Sequence, residues 1–98
     1  MVRLVWTEIS TKDLKEIYDY IAENSITYAS ITVNKIYYKA QKIPENPNLG
    51  RIVPEINLKT IREIISGNYR IIYKIKNEEQ VDILRIYHSA RLLKHEKL

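Results

Sequence analysis

Cysteine is absent from this 98-residue chain, and glycine occurs only twice. The first absence excludes a disulfide framework and a thiolate metal site, and two histidines by themselves offer zinc no ready ligand set. No metal and no cofactor are therefore expected. There is no Gly-rich phosphate loop, no Ser/His/Asp arrangement and no paired-carboxylate spacing. No apolar run approaches the roughly 20 residues that span a bilayer, and the N-terminus lacks the long apolar region of a signal peptide. Neither secretion nor membrane contact is expected, and a cysteine-free chain suits a reducing cytoplasm. Repeats, low-complexity runs and linkers are missing too, which leaves a single domain over residues 1–98.

What is present is enough to fold. A hydrophobic fraction of 45% beside 29% charged residues is the balance of a globular domain rather than a disordered chain. The net charge of +4 is unevenly placed. Residues 1–49 hold six basic and six acidic side chains, whereas residues 50–98 hold ten and six. Five of the six arginines, Arg51, Arg62, Arg70, Arg85 and Arg91, lie in that second half. Arginine's planar fork binds phosphate bidentately, so the bias suits an anionic partner, while a solvated surface explains it equally well.

Val2, Leu4 and Trp6 fall on one side at period two, which predicts a first strand. Ser10 with Asp13 gives a helix start signal, after which Leu14, Ile17, Tyr18 and Ile21 form one stripe opposite Lys12, Lys15, Glu16, Asp19 and Glu23. After Asn24-Ser25 a second helix is predicted from about Thr27, with a seam of Ala29, Val33, Ile36, Ala40 and Ile43, stopped by Pro44 and Pro47. The short break makes an antiparallel hairpin. Tyr28, Ile31, Tyr37 and Tyr38 lie off the seam, either packed on the sheet or displayed to a partner chain. Residues 47–58 read as a loop at the edge of a site.

The rest of the chain threads arginines and a histidine through strands rich in Ile, Val and Tyr, a meander with a tight turn at Gly67-Asn68. Pairing Lys76 with Gln80 sets Lys74 opposite Asp82, Ile72 opposite Leu84, Arg70 opposite Ile86 and Asn68 opposite His88. Arg70 and His88 then share a face. Tyr69, Ile71, Tyr73 and Ile75, with Val81 and Ile83, form the other face, suited to packing under the helices. That register also places Arg62 and Arg85 on the helix side, which calls for a bulge or for pairing with Asp19 or Glu16. The expected fold is α+β: an N-terminal strand, an antiparallel helical hairpin and a three-stranded antiparallel meander in one small sheet.

His95 falls in a charged tail, so His88 is the histidine expected in ordered structure. A strand-end histidine is usually a structural hydrogen-bonding residue. Beside Arg70 it acquires a chemical meaning, because attack of a 2′-hydroxyl on phosphorus needs an acid, a base and a cation for the developing charge. Glu55 and Glu63 are further candidate bases.

The order of several motifs resembles the RelE/ParE superfamily of bacterial toxins over nearly the whole chain. They are Val5-Trp6-Thr7, Asp13-Leu14-x-x-Ile17, Tyr20-Ile21-Ala22, Pro47-x-x-Gly50-Arg51-x-x-Pro54-Glu55, Ile61-Arg62-Glu63, Tyr69-Arg70-Ile71-Ile72-Tyr73 and His88-x-x-Arg91. The resemblance implies a helical hairpin on a mainly antiparallel sheet, and a toxin held in check by a small antitoxin protein in a hetero-oligomer. It implies one of two activities. ParE-like members inhibit DNA gyrase; RelE-like members are ribosome-dependent, metal-independent endoribonucleases that cut messenger RNA. Arg70 matches the arginine RelE-like nucleases use on phosphate, and His88 falls near a position where some carry a functional histidine. Ser89 follows where tyrosine can stand, and the paired lysines of RelE have no counterpart. The helical pattern and the His88-x-x-Arg91 ending favour gyrase inhibition, with Arg51, Arg62, Arg70 and Arg91 as target-binding candidates. Arg70 and His88 would be catalytic only in the RelE-like case.

Overall fold

The computed structural model describes residues 2–89. Its elements run β1 (Arg3–Trp6), α1 (Glu8–Ala22), α2 (Ile26–Gln41), a 3-10 turn (Ile43–Glu45), β2 (Arg51–Ile52), β3 (Ile61–Ser66), β4 (Tyr69–Asn77) and β5 (Gln80–His88). The sheet has five strands in the order β1-β5-β4-β3-β2. β1 runs parallel to β5, with Leu4 opposite Val81 and Trp6 opposite Ile83, and every other pairing is antiparallel. The meander is thus extended on both sides, by β1 and by the two-residue β2 inside the expected loop. No helix among the described residues is long and apolar enough to cross a membrane.

α1 begins at Glu8, two residues before Ser10. Thr7 is the cap: its hydroxyl oxygen accepts from Ser10 N–H at 3.2 Å and donates to Ile83 O at 2.7 Å, tying the helix start to β5. Ser10 and Asp13, read from sequence as the start signal, are instead buried within the helix. Ser25 caps α2 by accepting from Tyr28 N–H. Ala29, Ile36, Ala40 and Ile43 are fully buried, as the seam requires, and Pro44 sits in the 3-10 turn that ends the helical run.

One face of the sheet lies under the hairpin, where Ile71, Tyr73, Val81, Ile83 and Ile86 meet Ile36, Ala40 and Ile43. A smaller apolar cluster covers the opposite face, with Val53 and Ile56 of the 53–58 loop over Ile61, Ile72 and Tyr87. Two-residue turns join the strands. Ser66 pairs with Tyr69 around Gly67 at φ +57°, and positive φ at the first central residue alone is the II′ hairpin pattern that favours glycine. Asn77 pairs with Gln80, and its side chain accepts from Glu79 N–H at 2.8 Å.

The expected β4–β5 register holds from Ile75 through Lys74 to Tyr73; it fails at the turn, where Gln80 pairs with Asn77 and not Lys76, and again beyond Tyr73. Ile75 pairs with Val81 and Tyr73 with Ile83, but Ile72 pairs with Arg85, Ile71 with Ile86, Arg70 with Tyr87 and Tyr69 with His88. Leu84 is the extra residue of a bulge. Every later residue of β5 therefore changes face, and Arg70 and His88 stand on opposite faces instead of sharing one. One consequence concerns the pair spaced Ile83-x-x-Ile86. Both isoleucines are buried in the helix-side core, and only an inserted residue brings them to the same face.

Candidate functional site

Arg70 and the carboxylates around it form the densest polar cluster of the described residues. Strand alternation sends Arg70 of β4 and Glu63 of β3 to the face away from the helices, where their side chains are 5% and 0% exposed. Arg70 Nε donates to Glu63 Oε1 at 2.6 Å. Its two terminal nitrogens donate to Glu55, Nη1 to Oε2 at 2.7 Å and Nη2 to Oε1 at 2.8 Å, a fork-on-fork pair. Arg51 Nε donates to the second oxygen of Glu63. Two cations thus balance two anions, which is the condition for holding ions in a dry interior. The pairing with Glu55, then Glu63, holds the Arg70 guanidinium above its ordinary value against the cost of burial.

Glu55 arrives there because residues 53–57 close a tight turn, with Ile56 and Asn57 N–H both donating to Val53 O. Asn57 takes φ +56°, and Val53 and Ile56 pin the turn to the sheet. The turn hides the Arg70 fork under a carboxylate. Sequence reading treated Glu55 and Glu63 as candidate bases; both are engaged as counter-ions.

Arg62 lies on the other face, as expected for the helix side, and donates to Gly50 O at 2.9 Å and Lys59 O at 3.0 Å. Beside it the buried Tyr73 hydroxyl accepts from Gly50 N–H at 2.9 Å and donates to Pro47 O at 2.6 Å. A Cβ at Gly50 would meet Glu63 O at 2.5 Å and the Tyr73 hydroxyl at 2.6 Å, so only glycine fits where this loop crosses the sheet. Burial pushes the Tyr73 phenol up, partly opposed by the Gly50 hydrogen bond and the Arg62 charge.

Arg85 resolves differently from either pairing anticipated. Its partner is Asp13 of α1, at 2.8 Å from Nε and 3.0 Å from Nη2, and not Asp19 or Glu16. Asp13 raises the Arg85 guanidinium above its ordinary value. His88 is exposed at the end of β5, edge-on to Tyr69 at 5.7 Å between ring centroids. With Tyr69, Tyr20 and Glu16 it lines an open groove of about 540 Å³ beside α1. Arg91 lies outside the described residues. No group of three or more His, Asp or Glu among those residues is arranged to hold a metal ion. Asp13 is the residue whose role no local pattern discloses, because its partners Arg85 and Ile86 lie more than seventy residues away in sequence.

The family model for the ParE toxin of type II toxin-antitoxin systems, parDE, matches residues 4–93. The chain belongs to the ParE toxin family. It is a type II toxin, and its fold is shared with solved structures. The chromosomal ParDE TA system from P. aeruginosa superposes with a TM-score of 0.75 at 24% identity, over 90% of this chain and 96% of that one. The YoeB dimer from Staphylococcus aureus gives 0.59 at 17% identity, covering 89% and 95%. The YoeB-YefM complex from the same organism gives 0.52 at 14%, covering 90% and 97%. At these identities the likeness concerns the fold of the toxin alone. No curated protein matches by sequence.

Proposed function

We propose that this toxin stops growth by binding DNA gyrase, and that a small antitoxin protein neutralises it in a toxin-antitoxin hetero-oligomer in the cytoplasm. The observation that carries the reading is the state of Arg70. Cleavage of RNA without a metal needs an acid, a base and a cation converging on one phosphate, and Arg70 with His88 is the pair the sequence offers for it. Here the guanidinium fork is filled by Glu55 and Glu63, and His88 stands across the sheet from it. Membership of the ParE family agrees with that reading.

Arg51 and Arg62 are the proposed target contacts, together with Arg91. Arg51 lies in β2 and Arg62 beside it in β3, at one margin of the sheet, and each is oriented by a partner, Glu63 for Arg51 and the Gly50 carbonyl for Arg62. An already oriented guanidinium loses little side-chain freedom on meeting an acidic surface. For the antitoxin, α2 displays Tyr28, Ile31 and Tyr38, 58%, 45% and 67% exposed, beside a groove closed by Tyr69. An amphipathic helix or an added strand would cover such a surface.

Induction of the toxin in bacteria, with plasmid supercoiling and transcript integrity measured from the same cells, tests the proposal. Relaxed plasmid with intact transcripts is expected. Transcripts cut only on ribosomes, with supercoiling unchanged, would instead make Arg70 and His88 a nuclease pair, the RelE-like endoribonuclease reading.

A further inference from the structure

The bulge in β5 separates Arg70 from His88, and a single carboxylate holds it. β1 ends at Trp6, opposite Ile83, so among the described residues no strand lies on the outer side of β5 beyond that point. N–H groups along a strand alternate between its two edges. The extra residue Leu84 reverses that alternation and turns Ile86 N–H outward, where the sheet provides no acceptor. Asp13 provides one, accepting Ile86 N–H at 3.0 Å on the same oxygen that takes Arg85 Nε at 2.8 Å. In the straight register Ile86 N–H would face β4, and Arg85 would fall opposite Ile71 on the helix-side face.

Apolar burial alone discriminates weakly between these registers. The straight one would exchange Ile86 for Tyr87 under the helices and keep both buried. The discriminating groups are polar: the Ile86 amide, buried with its residue at 3% exposure, and the Arg85 guanidinium. Both are satisfied by Asp13 in the bulged register. An unpaired buried amide or charge is costly, so the helix carboxylate has leverage over the strand.

We propose that Asp13 is a positioning residue that sets the register of the outer half of β5, and thereby the sheet face on which Tyr87 and His88 are presented. Seventy-odd residues separate it in sequence from the strand it sets. Its side chain assigns residues 85–88 to their faces, and so governs which constellation the toxin can display. This holds whether the target is gyrase or the ribosome, because the register is read directly.

The test is cross-strand contacts by NMR in Asp13→Leu, which removes the acceptor, and in the double variant Asp13→Leu with Arg85→Met. The double variant leaves no buried charge unpaired, so it folds even where the single variant fails. Wild type is expected to show Ile71 beside Ile86 and Tyr69 beside His88. In the double variant those contacts are lost, and Ile72 beside Leu84 and Arg70 beside Ile86 take their place, while Ile75–Val81 and β1–β5 contacts persist. In Asp13→Leu the Ile86 amide should exchange with solvent at least ~10-fold faster than in wild type. Retention of the wild-type pairs and of Ile86 protection in both variants would overturn the proposal. So would a uniform loosening of all β5 amides, the mark of a merely structural residue.

Discussion

Tyr73 shows how much one side chain can hold. Its ring fills the helix-side core while its hydroxyl bridges Gly50 N–H and Pro47 O, fastening the loop that carries Arg51. Tyr73→Phe keeps the ring and orphans both backbone groups, so a cost of about 1–3 kcal/mol is expected in urea unfolding. A pH dependence follows from the raised phenol. Unfolded, the group titrates at its ordinary value of 10.0; folded, it keeps its proton to higher pH. Its stability contribution is complete below pH 10 and is lost as pH rises from there through the raised value. Tyr69, also raised by burial, adds to the same slope. Unfolding free energy measured across pH 9–11.5 should fall more shallowly in Tyr73→Phe than in wild type. At Arg70 a different outcome is expected: alanine strands the buried Glu63 carboxylate beside a single cation and should cost about 3–5 kcal/mol. Loss of toxicity in Arg70→Ala would then report folding, so a melt must accompany any activity assay.

Among the elements, those governed by a simple period were legible in the sequence. The α2 seam, the β1 alternation and the Gly67-Asn68 turn each follow from apolar spacing or turn chemistry, and each is found where the pattern puts it. Ile36→Ala should cost about 2–5 kcal/mol, since that side chain is fully buried at the centre of the core, whereas Lys15→Ala should cost almost nothing beyond its exposed pair with Asp19. Equal shifts in thermal melts would mean that the helix faces are assigned wrongly. Features set by contacts between distant segments were not legible. The start of α1 depends on Thr7 reaching Ile83 across the fold, and the bulge on Asp13 meeting Ile86 and Arg85. The extension of the sheet by β2 is a two-residue pairing with no period to read. The candidate site suffered most from this. Arg70, Glu55 and Glu63 were singled out individually, but that they neutralise one another depends on the 53–57 turn, and that His88 is absent from their company depends on one inserted residue.

At the scale of the whole molecule, a 98-residue chain leaves a band of aromatic and aliphatic side chains exposed along α2. Arginines held by partners lie at the β2 margin of the sheet. A side suited to being covered and a margin suited to gripping an acidic surface are what the proposed action by contact requires. The most direct measurement is supercoiling of relaxed plasmid by purified gyrase, with the toxin added and ribosomes left out, comparing wild type, His88→Ala and Arg51→Ala. The account predicts inhibition by wild type and by His88→Ala alike, and inhibition weakened ~10-fold or more by Arg51→Ala, a scale equal to about 1.4 kcal/mol of contact energy. Full gyrase activity with folded wild-type toxin present, alongside ribosome-dependent transcript cleavage abolished in His88→Ala, would contradict it.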